Sequence, residues 1–511
     1  MKKMLMLTLL LVLSLTAQPV TELLQPNSNK VVIKVRFANG SIADPKGKEG
    51  LTYAAAQLVA QGGTGTMTFS QIQDMLYPWA AGYYVQVDKE VSTFTFMVHT
   101  DFLAQFYPVV KGLLLTPSFS EEDFQRVMKN QQNFVDQVIR ASSDEEYSKK
   151  ALEHLLFRGT NYQHMVQGTS ESVKSITLDD IKKHYADVFT RNNVSIGIAG
   201  NYTPEFLKQL KSDIGQLSAA KPAAVKPGKA VMPNGVHVEI IAKDNAFGSA
   251  IFTGTPLAIT RSSKDFAALM VANSYLGEHR KSYGKLYQKI RETRSMNYGD
   301  YSYIEWYNNG GGNMLPPSGV PRSSNSFALW IRPVQIAKQL KNQYAELADI
   351  SVGHAHFALR MAVREVDLII KNGLSKEDFE ATRTFLRSYT KLYVQTPNEQ
   401  LGYLMDSKFY GRKDFITEVD KELSKLTVKD VNAAVKKYWR TDNMFVTIVT
   451  DKSEAEPLAK SLLENTPSPM AYSNAVKAGL PKEVLAEDDV VAAYRLNVKK
   501  VDIIDSKDTF K

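Results

Sequence analysis

The segment ITLDDIKKHYADVFTRNNVSIGIAGN at residues 176–201 recurs without a gap as LTVKDVNAAVKKYWRTDNMFVTIVTD at residues 426–451. A recurrence at this distance points to two similarly built halves. Thr177 matches Thr427, Asp180 matches Asp430, Asn193 matches Asn443 and Ile198 matches Ile448. In each copy the threonine is placed to cap a helix, with an aspartate three residues on to face the helix N-terminus. A turn at the asparagine then feeds an alternating apolar strand. Upstream, Ser120 to Phe124 parallels Ser375 to Phe379, each opening a long amphipathic segment.

Between the halves, residues 215–235 (GQLSAAKPAAVKPGKAVMPNG) carry Pro, Ala, Lys and Gly with no helical or strand period. They read as a linker. In the first half KVVIKVRF (30–37) and GYYVQVDKEVSTFTFMVH (82–99) read as strands, and residues 121–141 and 144–157 as helices. Strands and helices cluster instead of strictly alternating, which predicts α+β layers.

The chain has 511 residues, a net charge of +8 and no cysteine. Disulfides, thiolate metal sites and a cysteine nucleophile are thereby excluded. Residues 1–17 have the form of an export signal: Lys2 and Lys3, then an apolar run from Met4 to Leu15, then Thr16-Ala17 as a small-residue cleavage point. The run is too short to span a bilayer, and no later stretch is long and apolar enough. Export to the periplasm is expected, with secretion as the alternative. The expected layout is therefore a signal at 1–17, a first domain at 18–214, the linker at 215–235, a second domain at 236–470 and an extension at 471–511.

Residues 36–64, RFANGSIADPKGKEGLTYAAAQLVAQGGT, resemble the start of a domain of the M16 (insulinase, processing peptidase) family. IRETRSMNYGDYSYIEW (290–306) resembles the family's Arg-rich segment ending in Tyr, and FALWIRPV (327–334), EDFEATRTFL (377–386) and QLGYLMDSKFYG (400–411) are similar to a bacterial periplasmic subgroup. The resemblance implies two M16-type α/β domains of the LuxS/MPP-like metallohydrolase kind, joined as half of a clam shell. It also suggests that the first domain starts late and lacks the family's opening hairpin, which PNGVHVEIIAK (233–243) supplies in the second.

M16 peptidases hold zinc on the first helix through an inverted His-x-x-Glu-His motif, with a third ligand, a Glu, farther on. Two imidazoles at i and i+4 share a helix face, and the carboxylate between them activates the metal-bound water. With Gly50-Leu51 placed on the family's Gly-Leu, the motif positions fall on Tyr53, Ala56 and Gln57. A protonated phenol, a methyl group and an amide cannot replace that set. Residues 123–144 contain no Glu, and Asp136 is the internal carboxylate there. His354-x-His356, Glu153-His154 and Glu278-His279 offer no better ligand pattern, and Gly310-Gly311-Gly312 opens no phosphate-binding helix. No metal is expected on this chain, and no nucleic-acid motif is present.

The family's non-zinc domain carries an Arg and, seven residues later, a Tyr that hold the substrate carbonyl and its developing oxyanion. Arg291 and Tyr298 stand at that spacing. A guanidinium and a phenol suit that charge in a dry cleft. Residues 82–91 resemble the edge strand on which the family lays peptides, so Tyr83, Tyr84, Val85, Gln86 and Val87 are candidate substrate contacts. The basic run from Arg280 to Arg294 reads as a solvated helix face, with attraction of acidic peptides as the alternative.

A chain without zinc ligands that keeps the Arg and Tyr resembles the non-catalytic subunit of two-chain M16 peptidases. The resemblance implies a heterodimer with a zinc-bearing M16 subunit and a peptide enclosed between them. Two other readings stay open: a scaffold or peptide-binding protein with no catalytic contribution, and an autonomous metallopeptidase with atypical ligands.

Overall fold

A computed structural model describes residues 18–306 and 318–510. The expected export signal and the Gly310–Gly312 run lie outside the described residues. The two halves each form a mixed sheet backed by helices. In the first, β1 (Val20–Leu24), β2 (Lys30–Phe37), β3 (Gly82–Val87), β4 (Ser92–His99) and β5 (Val194–Gly200) lie in the order β1-β5-β2-β4-β3. The second holds β6 (Val236–Lys243), β7 (Ser249–Leu257), β8 (Asp300–Tyr303), β9 (Asn325–Val334), β10 (Met444–Asp451) and β11 (Val498–Asp505), in the order β11-β6-β10-β7-β9-β8. Without β11 the second order reproduces the first, strand for strand.

The matched segments take matched roles. Thr177 caps helix Leu178–Val188 and Thr427 caps helix Val428–Tyr438, each in a reciprocal capping box with its aspartate. The strands that follow, β5 and β10, are interior strands of their sheets, and each is paired in parallel with the opening strand of its half. One expectation is corrected here. The first half does not lack its opening strand: VTELL forms β1, with Val20 opposite Ile196 and Leu24 opposite Gly200. At five residues it is shorter than the eight of β6, and in the sequence it comes soon after the apolar run from Met4 to Leu15, so no independent pattern marks it.

Each half lends a helix to the other. Helix Asp144–Leu156 lies on β7 and β10, where Thr447 Oγ1 donates to Ser148 O at 3.0 Å. Helix Pro397–Phe409 lies on β1, β2 and β5, where Leu401 and Met405 pack on Val32 and Ala199. The approach is close: a Cβ on Gly197 would sit 2.4 Å from Met405 Sδ. Arg36 Nη2 also meets Asp406 Oδ1 at 2.6 Å beneath this helix.

A buried ionic cluster ties the halves together. Arg322 forms a bidentate pair with Asp88, both contacts at 2.6 Å, and reaches Glu153 at 3.0 Å. Its guanidinium stacks 3.6 Å from the Trp306 ring centroid. Lys89 meets Glu153 at 3.1 Å. Burial alone would raise the Glu153 carboxyl, but Arg322 and Lys89 outweigh it and hold it down at about 2. For Lys89 burial wins over the Glu153 charge and lowers the ammonium to about 8.

The linker is irregular but strapped down. Gly228 N donates to Asn161 Oδ1 at 2.8 Å, and Ser324 Oγ donates to Gly228 O at 2.7 Å. The C-terminal segment is ordered and integrated. Helix Lys482–Ala492 packs on helix Ala355–Asn372, β11 pairs in parallel with β6, and Phe510 lies 5.6 Å from the Tyr147 ring in the core of the first half. No helix among the described residues is long and apolar enough to cross a membrane.

Candidate functional site

The helix Leu51–Gln61 begins at Gly50, whose φ of 95° lies in the left-handed region that glycine tolerates. Asp44 takes the place of a side-chain cap. It accepts from Gly50 N at 2.7 Å, Thr52 N at 2.8 Å and Thr52 Oγ1 at 2.6 Å. Thr52 Oγ1 also lies 2.9 Å from His184 Nε2. The helix packs against helices Glu121–Asn133 and Leu178–Val188 and against β3.

Tyr53, Ala56 and Gln57 fall on one face of this helix at i, i+3 and i+4. Burial raises the Tyr53 phenol, against the pull of a hydrogen bond from Gln167, so it stays protonated. Ala56 is fully buried. Gln57 Oε1 accepts from Gln61 Nε2 at 2.7 Å. These residues do not fit zinc: the set offers no imidazole, no carboxylate, and one amide oxygen already engaged. Asp136 sits in a π-helical turn, Phe134–Val138, where its carboxylate accepts from Gln132 Nε2 at 2.7 Å. Gln131 comes to the head of the helix instead, donating to Gly50 O at 3.1 Å and Gln167 O at 2.9 Å. Its contribution was not legible in the sequence, since a lone Gln on an amphipathic helix carries no signal.

β3 is the last strand of its sheet and, among the described residues, pairs only with β4. Tyr83, Val85 and Val87 face the core of the first half, where the Tyr83 ring lies 5.8 Å from Phe96. Burial pushes the Tyr83 phenol up to about 12. Tyr84 and Gln86 point the other way, toward the second half: Tyr84 Oη accepts from Asn398 Nδ2 at 3.4 Å, and Gln86 Nε2 donates to Ser318 O at 3.2 Å. The corresponding strand of the other sheet, β8, is closed. Its four residues are buried, and Asn273 Nδ2 donates to Ser302 O at 2.9 Å while Ser302 Oγ returns a bond to Asn273 O.

Arg291 is the last but one residue of a π-helical turn, Tyr287–Glu292, and Tyr298 stands two residues before β8. Ile290, Arg294 and Met296 are buried beneath the connecting turn. Tyr298 is 80% exposed. Arg291 meets Glu292 Oε1 at 2.8 Å and lies over the Tyr287 ring at 5.5 Å. No hydrogen bond joins Arg291 to Tyr298 among the described residues, and the turn packs on β8 and helix Ala355–Asn372 within its own half.

The basic run differs from a freely solvated face. Lys281 and Lys285 lie over the Tyr389 and Tyr275 rings at 4.8 and 5.0 Å. Lys289 and Arg294 are neutralised by Glu487 and Asp488. His354 and His356 are buried at a helix start: His354 Nε2 lies 3.0 Å from Ala471 O, and His356 Nδ1 lies 2.8 Å from Ser461 Oγ. Burial lowers the His356 imidazole to about 3. Among the described residues no three or more His, Asp or Glu side chains are grouped to hold a metal.

Residues 175–316 match the family model described as "Peptidase M16 inactive domain". The chain is 21% identical over 438 residues to the "Non-peptidase homolog YmxG" of Helicobacter pylori, covering 83% of this chain and 89% of that protein. It is also 21% identical to the "Uncharacterized zinc protease YmxG" of Bacillus subtilis, over 82% and 92% of the two chains. A crystal structure of a peptidase M16 inactive domain from Pseudomonas fluorescens shares the fold, with a TM-score of 0.71 at 17% identity over 85% of this chain and 96% of that one.

Proposed function

We propose that this chain, a non-peptidase M16 homologue, serves as the non-catalytic subunit of a two-chain zinc metallopeptidase, exported to the periplasm. The observation that carries the reading is a contrast between two places. The helix at the family's zinc position presents Tyr53, Ala56 and Gln57, while Tyr298 projects into solvent and Arg291 stands on the same segment, anchored from below by the buried Ile290, Arg294 and Met296. Buried anchors beneath exposed polar groups suit side chains that act on something outside the chain. In this reading a sister subunit holds the zinc, and the peptide is enclosed between the chains. Arg291 and Tyr298 then reach the substrate carbonyl in trans and donate to the oxyanion as it forms. The open edge of β3 offers backbone pairing to the peptide, with Tyr84 and Gln86 on the side turned to the second half. The like strand order of the two sheets supports an origin by duplication. The start of β1 at Val20 leaves the sheet intact after cleavage at Ala17.

The test is co-purification of the native complex, metal analysis of each subunit, and peptide hydrolysis with Arg291→Ala and Tyr298→Phe chains. Zinc confined to the sister subunit, and a rate reduced at least tenfold by each variant, is expected. Full activity of both variants would sink the trans role. The ion pair of Arg291 with Glu292 favours a second reading, a scaffold or peptide-binding subunit with no part in the chemistry. That reading predicts the full rate with both variants.

A further inference from the structure

Residues 471–510 matched no motif in the sequence, yet they reach the turn that carries Arg291 and Tyr298. Arg294 lies three residues past Arg291 and four before Tyr298, and its side chain is fully buried. Its Nε donates to Asp488 Oδ1 at 2.7 Å and its Nη2 to Glu487 Oε2 at 2.9 Å. Its Nη1 closes the turn on itself by donating to Lys289 O at 2.7 Å. Glu487 also takes Lys289 Nζ at 2.8 and 3.0 Å, and Asp488 takes the Tyr472 hydroxyl at 2.8 Å. Both acids sit on helix Lys482–Ala492, which Val491 roots in the core of the second half.

The turn itself needs such a clamp. Ser295 stands at φ 50°, a left-handed conformation that a non-glycine side chain adopts only under constraint. Three backbone bonds hold the turn: Thr293 N to Gln288 O, Ser295 N to Arg291 O, and Met296 N to Ile290 O. The apolar anchors Ile290 and Met296 fix its depth but have no directional preference. The forked guanidinium of Arg294 does, because its donors leave in fixed directions and meet two carboxylates and a carbonyl.

We propose that the C-terminal segment, through Asp488 and Glu487, positions Arg291 and Tyr298 by holding Arg294. Asp488, Glu487 and Arg294 are then positioning residues, and the segment is part of the working surface. The inference rests on the trans role of Arg291 and Tyr298. It goes beyond that role in assigning a task to a segment about 190 residues away.

The experiment uses the full chain, alone and in its co-purified complex, with Asp488→Asn, Glu487→Gln and the double variant. Asp420→Asn, which breaks the exposed Arg387–Asp420 pair of the same half, is the control. In the chain alone, the amides of Thr293, Ser295 and Met296 should exchange with deuterium at least tenfold faster in the double variant, with β9 unchanged. In the complex, kcat should fall about tenfold with KM within twofold, and Asp488→Glu should restore most of the rate. The control should change neither measurement. Unchanged exchange in the turn overturns the inference whatever the rates do. Faster exchange with an unchanged rate, in a complex that Arg291→Ala does slow, also overturns it and leaves the trans role standing. A complex that Arg291→Ala does not slow removes the trans role itself, which identifies the failure as belonging to that earlier reading. The single variants replace charge by an isosteric amide, so they keep the test open if the double variant does not fold.

Discussion

Glu278 ends the helix Phe266–Gly277 with no exposed surface, and neither carboxylate oxygen meets a donor at hydrogen-bonding geometry among the described residues. Burial raises its carboxyl to about 7, with Ser274 and Lys281 offsetting part of the effect. Between the ordinary carboxylate range and pH 7 the folded chain therefore binds a proton that the unfolded chain has released. Stability from this group is present at low pH and is lost as pH rises through 7. Raising the carboxyl from its ordinary range to about 7 corresponds to roughly 3 kcal/mol. Glu278→Gln removes the titration while keeping the shape. The variant should match the wild type within about 1 kcal/mol at pH 5 and exceed it by up to ~3 kcal/mol at pH 8. Urea unfolding of both proteins at half-unit steps from pH 5 to 8 reads the difference directly, and other buried acids cancel between the two chains. A gap that does not change between pH 5 and pH 8 would refute the argument, since the burial of an ionised Glu278 would then cost nothing.

Two further perturbations bear on how the halves are joined. Arg322→Met leaves Asp88 and Glu153 buried without their shared cation, so urea unfolding should show a loss of about 3–5 kcal/mol; a loss under about 1 kcal/mol would mean the cluster is hydrated. Gly197→Ala drives a methyl into Met405 and should cost about 1–3 kcal/mol, detected as a lower thermal midpoint, whereas Gly411→Ala, where nothing lies within 4 Å, tests only the left-handed backbone.

Much of the fold was legible because its signals are local. KVVIKVRF is a strand at the bounds its pattern gives, and the capping boxes at Thr177 and Thr427 need only four residues each. What escaped depends on partners far apart in the chain. Asp88 and Arg322 are separated by 234 residues, and each alone looks like an ordinary surface charge. The basic run appeared solvated because Glu487 and Asp488, which neutralise part of it, lie almost 200 residues downstream. β1 was missed for the opposite reason: VTELL is too short to show a period, and the apolar run from Met4 to Leu15 just before it hides its start. At the candidate site, the family resemblance pointed to Arg291 and Tyr298, but nothing in RETRSMNY reveals that Arg294 is the buried residue between them.

The exchange of helices between the halves has a consequence for handling the protein. Expressed separately, either half would present the bare underside of a sheet: β1, β2 and β5 without Leu401 and Met405, or β7 and β10 without residues 144–156. Such fragments should aggregate. A single protease cut within residues 220–233, by contrast, should leave both pieces in one particle through gel filtration, because each still clasps the other's strands.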